Sequence, residues 1–380
     1  MKIPYFKPWI SSDDKKSILD TLNQRWLTNG PKLKKFEKDF SRFIETKFSI
    51  GVSSATHALH LAIISMGIGP GDEVIVPTFT FAATLNSVLY SGAKPILVDV
   101  ESSTFTISTK EIEKKINKKT KAIIPVHYGG QSCDMKEILK IAQKHNLGII
   151  EDCAHALGSK YKKKYCGTFG KVGCFSFYPT KIITTGEGGM VSTNDAKIFK
   201  KISLLKSHSM SISAVDRESK ATWKYDITDL GYNYRLDEIR ASLGISQLNR
   251  INKINQMRIN IAQKYNDLLN DVEGLVIPIV KDDRNHIYHL YTIKIENTFP
   301  ITRDNLFTLL NEKGIGTSVQ YYPLHLMSFY KKLLHPKKSE FSVANILKDQ
   351  VLSLPIFPQM SNKQIYFVSS ILHKIAKVKK

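Results

Sequence analysis

The sequence predicts an α/β protein: a mainly parallel sheet flanked by helices, followed by a smaller α+β unit. Two observations carry this. From residue 49 to about 205, short apolar runs alternate with helix-length stretches, and that rhythm favours parallel strands joined by covering helices. Beyond residue 270 the pattern changes to a run with strand-like alternation at 287–295, a helix from Asp304 to Glu312, and a further run from Gly316 to Tyr322. We expect a large domain over residues 1–250, including the N-terminal segment, and a small one over 251–380.

Length and composition suit a soluble globular chain. Its 380 residues can bury a large core, and 42% hydrophobic with 23% charged residues is ordinary. No apolar run is long enough to span a membrane. Met1-Lys-Ile-Pro-Tyr5 lacks the apolar centre of a secretion signal, so a cytoplasmic location is expected. The four cysteines have no metal-ligand spacing and are expected to be reduced thiols, with no metal site. The net charge of +21 has two compatible explanations. Lysines spread along solvated helix faces are one, and attraction of an anionic substrate is the other. A DNA-binding regulator would need a basic recognition helix, and none stands out.

In chain order, Ser11-Ser12-Asp13-Asp14 is a cluster suited to cap a helix. Trp26 to Pro31 is a turn-like apolar loop. Ser49 to Val52 is a strand, and Ser53-Ser54-Ala55-Thr56 leads into the next helix. Such an end leaves free N–H groups that hold a phosphate readily, although a plain N-cap has the same look. Glu73 to Val76 is a strand, and Thr78 to Thr84, with Phe81, opens a helix. Further strands fall at 95–98 and 122–126.

Gly148-Ile-Ile-Glu151-Asp152-Cys-Ala-His155 puts a carboxylate at the C-terminal end of an apolar strand. Ligands of open α/β sheets sit at that edge, though Asp152 could also cap a helix. Cys174 to Phe177 is a buried strand ended by Pro179, and Lys181 then stands among uncharged neighbours, before Thr184 to Gly189. An ordinary lysine would snorkel to solvent. A partly desolvated one has a lowered pKa and can bond a carbonyl carbon, and glycines nearby let a flat ligand approach. Residues 211–226 show no period and form a loop. Asp229 to Glu238 contains Gly231-Tyr-Asn-Tyr-Arg235, and Asp237 caps a long helix running to about Leu269. Pro323-Leu-His325 closes the set; a core or surface role is the plain alternative for His325.

Ser176-Phe-Tyr-Pro-Thr-Lys181, followed by Thr185-Gly-Glu-Gly-Gly189, resembles the signature of the DegT/StrS family of sugar aminotransferases. The resemblance extends from residue 1 to about 370, with Asp152 and the Gly231–Arg235 motif in the family's order. It implies the fold type I architecture of pyridoxal phosphate (PLP) enzymes, with a seven-stranded sheet in the large domain. It implies that Lys181 bonds the cofactor aldehyde, and that Ala55, Thr56 and Ser176 hold the phosphate. Here Ala55 stands where the family usually has glycine.

The resemblance further implies that Phe81 stacks on the PLP ring and that His155 lies near its phenolic oxygen. It pairs Asp152 with the pyridine nitrogen, a charge-assisted bond of about 1.5–3 kcal/mol. It places Asn233 in the partner chain's site, hence a homodimer with two shared sites. Trp26, Tyr321 and His325 are the expected substrate-binding residues. The implied reaction moves an amino group from L-glutamate, which leaves as 2-oxoglutarate, to a nucleotide-linked keto sugar. Relatives that dehydrate sugars carry histidine at the position of Lys181, so transamination is expected. A 4-keto-6-deoxyhexose, of the kind used for perosamine, is the expected acceptor, with a 3-keto sugar as the alternative.

Overall fold

The computed structural model describes residues 1–212 and 221–377. Twelve strands are β1 (Phe48–Val52), β2 (Glu73–Pro77), β3 (Lys94–Val98), β4 (Thr120–Ile123), β5 (Gly148–Asp152), β6 (Lys160–Tyr161), β7 (Lys164–Tyr165), β8 (Val172–Ser176), β9 (Gly189–Thr193), β10 (Leu275–Val276), β11 (Tyr291–Ile295) and β12 (Val351–Leu354). Seven of them form one sheet in the order β1-β9-β8-β5-β4-β2-β3. β9 runs antiparallel to both neighbours, and the other pairs are parallel, as expected. β10, β11 and β12 form a separate antiparallel sheet.

Local sequence explains the elements that flank the sheet. The helix Ser12–Leu22 starts at Ser11, whose side chain and that of Asp14 cap each other's backbone. The helix Pro31–Ile44 buries Leu33, Phe36, Phe40 and Ile44, one face at helical spacing. Phe36 and Phe40 meet Phe175 and Phe177 of the Lys181 strand region, with ring centroids 5.0–5.9 Å apart. Face-to-edge packing of this kind fixes ring orientation as well as burying area. It anchors the underside of the loop that carries Lys181.

A second core gathers Ile261, Tyr265, Leu269, Tyr291, Ile293, Leu352 and Leu372 with Ile3. Ile3 joins it because the chain start pairs with Ile315. The N-terminal segment therefore touches both units: Ile3 sits in this core, and the helix Ser12–Leu22 packs on the helix Glu238–Leu248.

Three expectations need correction. The long helix expected from Asp237 to Leu269 is two helices, Glu238–Leu248 and Ile251–Leu269. They part because they pack on different partners, the first on the N-terminal helices and the second on the helix Asn362–Ala376. At the junction, Arg250 turns to the buried carboxylate of Asp14 at 2.6 Å.

The run Gly316–Tyr322 is not a strand; only Ser318 pairs, with Ser353. Side chains satisfy its polar atoms instead: Tyr128 donates to the Gln320 carbonyl, and Tyr5 to Gln320 Oε1 at 2.6 Å. The strand expected from Ile287 begins at Tyr291, because the amides of Ile287 and Leu290 donate to Gly130 and Gly129. The loop over 211–226 and the tail at 377–380 lie partly outside the described residues. Among those described, no helix is long and apolar enough to cross a membrane.

Candidate active site

The sheet's order brings the sequence motifs together. Ser176 ends β8 and pairs with Gly189 of β9, which pairs in turn with Val52 of β1. Three strand ends thus stand side by side at one sheet edge. The helix Ala55–Ser65 starts three residues beyond Val52. Ser54 caps it, accepting from the His57 amide at 3.2 Å, while the Ala58 amide donates to the Ser54 carbonyl. The first two helical amides, of Ala55 and Thr56, have no acceptor within the helix. A Cβ on Gly189 would lie 2.5–2.7 Å from the backbone of Ser54 and Ala55, so only glycine lets β9 pass this turn. The result is a cradle of two amides and the Ser176 hydroxyl, suited to a phosphate.

Asp152 ends β5 and is buried. One carboxylate oxygen accepts from Thr84 Oγ1 at 2.8 Å and the other from the Ala154 amide at 3.1 Å. Burial raises its pKa above the usual carboxylate value, and those two donors and Lys181 oppose the rise. Thr84 is held in turn by Thr80, at 3.0 Å between hydroxyls. Asp152 is therefore no helix cap; it is a buried carboxyl group held in a fixed orientation.

Lys181 is half-buried in a turn closed by its amide to the Tyr178 carbonyl at 2.9 Å. Thr184 Oγ1 donates to the Phe177 carbonyl at 3.0 Å, and the amide of Gly186, at φ 79°, donates back to Thr184. Burial lowers the ammonium pKa from 10.5 to about 8, with the Asp152 charge holding it up. Such an amine is poised between its neutral and charged forms.

His155 is buried, with Nδ1 accepting from the Gly129 amide at 3.3 Å and Nε2 facing the Tyr321 hydroxyl at 2.9 Å. Burial and then Lys181 hold its pKa well below the usual histidine value. Its ring packs 4.3 Å from that of His289. Phe81 precedes the helix Ala82–Tyr90 and is 61% exposed, its ring 6.1 Å from Tyr321. An exposed aromatic on the segment that leads into the Thr84 helix has a free face that a flat heterocycle could stack on.

Other expected site residues fall elsewhere. His325 was expected at the substrate, but it is buried with Nδ1 on Thr78 at 2.8 Å and Nε2 on Asn345 at 3.1 Å. Its ring stacks on Phe341 at 4.2 Å. Both ring nitrogens are engaged, and His325 fastens the 324–326 turn to the sheet. Trp26 lies against Arg25, and Asn233 pairs with Ser207 on an exposed edge. No hydrogen bond or ring contact of either joins it to Lys181, Asp152 or His155 within one chain. Sequence reading missed Thr84, Gly129 and His289. Only Thr84 had a signal, its spacing of four from Thr80, which lies just before the helix Ala82–Tyr90 and meets it hydroxyl to hydroxyl.

One buried group has metal-like composition: His127, Glu151 and Cys153, with potential ligand atoms within 4.8 Å of one another. Its carboxylate and imidazole already have partners. Glu151 accepts from His127 Nε2 and from the amides of Gly167, Phe169 and Gly170 at 2.7–3.0 Å. His127 Nδ1 accepts from the Cys133 amide at 3.0 Å. This carboxylate ties the loop after β7 to the sheet beneath Asp152.

An amine of lowered pKa, a buried carboxylate, free helix N-terminal amides and an exposed aromatic thus stand at one end of the sheet. Comparison with known proteins gives the chain's family. Residues 8–373 match the DegT/DnrJ/EryC1/StrS aminotransferase family, and the chain belongs to it. It is 39% identical to the spore coat polysaccharide biosynthesis protein SpsC of Bacillus subtilis, over 99% of this chain and 97% of that one. It is 36% identical to the GDP-perosamine synthase of Escherichia coli O157:H7, over 98% of each. A putative sugar aminotransferase of Streptococcus pneumoniae, in its PLP form, superposes with a TM-score of 0.93 at 28% identity, over 99% of both chains. The protein is a PLP-dependent enzyme of the sugar aminotransferase family.

Proposed function

We propose that this enzyme transfers the amino group of L-glutamate to a nucleotide-linked keto sugar, and that the acceptor is a 4-keto-6-deoxyhexose. The observation that carries the reading is the placement of the Lys181 amine, its pKa lowered to about 8, at the same sheet edge as the buried Asp152 carboxylate. The choice of a 4-keto acceptor rests on the likeness to GDP-perosamine synthase.

Each residue has a defined task. Ala55, Thr56 and Ser176 hold the cofactor phosphate, and Phe81 covers the ring. PLP, when bound, supplies a ring that takes up the electron pair left at the amino-bearing carbon. Asp152 keeps a proton on the pyridine nitrogen, which that uptake requires. Lys181 Nζ removes the proton from the amino-bearing carbon of the donor and returns one on the opposite side of the nitrogen. Holding one amine within reach of both carbons exploits proximity. In the second half the same amine acts in reverse on the sugar.

The working unit in this reading is a homodimer in the cytoplasm, with Asn233 serving the partner's site and Trp26 binding substrate. The positive surface draws in the diphosphate of the sugar nucleotide. Incubating purified enzyme with glutamate and a panel of 3-keto and 4-keto sugar nucleotides, read by mass spectrometry, tests the proposal. An amino sugar from a 4-keto substrate supports it. Product from 3-keto sugars alone overturns the choice of acceptor, and no 2-oxoglutarate with any acceptor overturns glutamate as donor.

A further inference from the structure

A chain of hydrogen bonds with one permitted direction runs from the backbone through His155 to Tyr321. The Gly129 amide can only donate, so His155 Nδ1, 3.3 Å away, presents its lone pair. His155 is neutral because burial and the nearby Lys181 ammonium both oppose its protonation. A neutral imidazole with its lone pair on Nδ1 carries its proton on Nε2. The 2.9 Å contact between Nε2 and the Tyr321 hydroxyl therefore runs from histidine to tyrosine. Tyr321 accepts there, and its own O–H must point elsewhere.

No acceptor within the described residues takes that proton. Tyr128, whose ring lies 6.2 Å from that of Tyr321, spends its hydroxyl on the Gln320 carbonyl. Both Asp152 oxygens are engaged by Thr84 and Ala154, although the Asp152 charge acts on Tyr321. Tyr321 is half-buried and neighbours the exposed Phe81 ring. Burial keeps the phenol protonated well beyond its ordinary range. An unsatisfied, oriented donor at the mouth of a site has a ligand acceptor as its natural partner.

We propose that Tyr321 donates a hydrogen bond to an oxygen atom of a ligand bound beside Phe81 and Asp152, and that the His155 tautomer enforces that direction. This rests on the aminotransferase reading. Two oxygens there share the required chemistry: the phenolic oxygen of the cofactor and the ketone oxygen of the acceptor sugar. Tyr321 stabilises charge on either without transferring its proton. It also discriminates against an ammonium group at the same point, because an O–H donor facing an N–H donor gains nothing.

Tyr321→Phe keeps the ring and removes the donor. The test loads this variant with PLP and follows its visible absorption against pH, then measures single turnovers with glutamate alone and with a keto-sugar nucleotide. If the phenolic oxygen is the partner, the pH midpoint of the resting spectrum shifts by about one unit or more. If the ketone is the partner, the resting spectrum is unchanged and only the sugar half-reaction slows, by about 10–100-fold. An unchanged spectrum with unchanged rates in both halves overturns the proposal. His155→Gln keeps a donor toward Tyr321 and an acceptor toward Gly129, whereas His155→Leu removes both. The glutamine variant is expected to retain the Tyr321-dependent effect and the leucine variant to lose it; equal behaviour of the two overturns the assigned direction. A wild-type protein with no PLP absorption band would instead refute the aminotransferase reading itself.

Discussion

Thr84 donates its hydroxyl proton to Asp152 across 2.8 Å, both groups buried. The threonine comes from the helix Ala82–Tyr90 and the aspartate from the end of β5, so the bond ties a covering helix to the central sheet. Burial alone would push the Asp152 carboxyl toward its neutral form; this donor works against that. A hydrogen bond to a charged group contributes about 1.5–3 kcal/mol. Thr84→Val keeps the shape and removes the donor, so turnover should fall by about 10–100-fold. The unfolding midpoint should fall as well, by about 1–3 kcal/mol of stability, because the buried Asp152 loses a donor. Steady-state kinetics beside a urea melt separates the two, and a variant with wild-type turnover would remove Thr84 from the site.

Lys181 should be distinguishable from the surface lysines by its titration. Its pKa is lowered from 10.5 to about 8, so the neutral, nucleophilic fraction grows as pH rises through 8. In cofactor-stripped protein, modification of the Lys181 peptide by an amine-reactive reagent should reach half its limiting rate near that pH. Asp152 favours the ammonium form, so Asp152→Asn should move the midpoint lower still. Mass spectrometry of the labelled peptides reads both. A midpoint close to that of exposed lysines in the same digest would contradict the burial argument.

His325 should matter to folding more than to substrate. Its ring nitrogens engage Thr78 and Asn345, and its ring lies on Phe341. His325→Leu leaves buried partners unsatisfied, at a cost of about 1–3 kcal/mol. Chemical denaturation should show that loss, with KM for the sugar nucleotide within about threefold of wild type if the folded fraction is unchanged. An unaltered melt with a large rise in KM would restore the histidine to the substrate site.

How much of this was legible beforehand follows from where the information lies. Lys181 and Asp152 stood out because each is a charge next to an apolar strand, a local conflict that a fold resolves only for a reason. The parallel sheet was legible from the βα rhythm, and the cap at Ser11 from one polar cluster. The break at Asn249–Arg250 was hidden, since helical spacing continues through it and only the packing partners change. The run Gly316–Tyr322 was expected as a strand, yet Tyr128 takes the Gln320 carbonyl that a ladder would use. His325 and His155 are the same residue type with comparable burial. Their difference lies in what faces each nitrogen, which no spacing in the chain encodes.

Asn233 offers the sharpest test of a shared site. Its backbone pairs with Ser207, and its neighbours Tyr234 and Arg235 run beside Ser53 and Val52 at the end of β1. Its side chain is exposed, and the stretch leading to it exposes Trp223, Ile227 and Leu230 by 80%, 53% and 75%. Large apolar groups exposed together are the kind of surface that an interface between chains would bury. If Asn233 serves the partner's phosphate cradle, a dimer of one Asn233→Ala chain and one Lys181→Ala chain contains one intact site and one doubly defective site. Such mixed dimers, isolated with two affinity tags, should recover about half of wild-type activity per dimer, as expected for independent sites in a C₂ dimer. Each variant alone should be impaired. If Asn233 acted within its own chain, every site in the mixed dimer would carry one defect. Activity would then stay at the mean of the two variants, so the assay separates the two arrangements without a structure of the dimer.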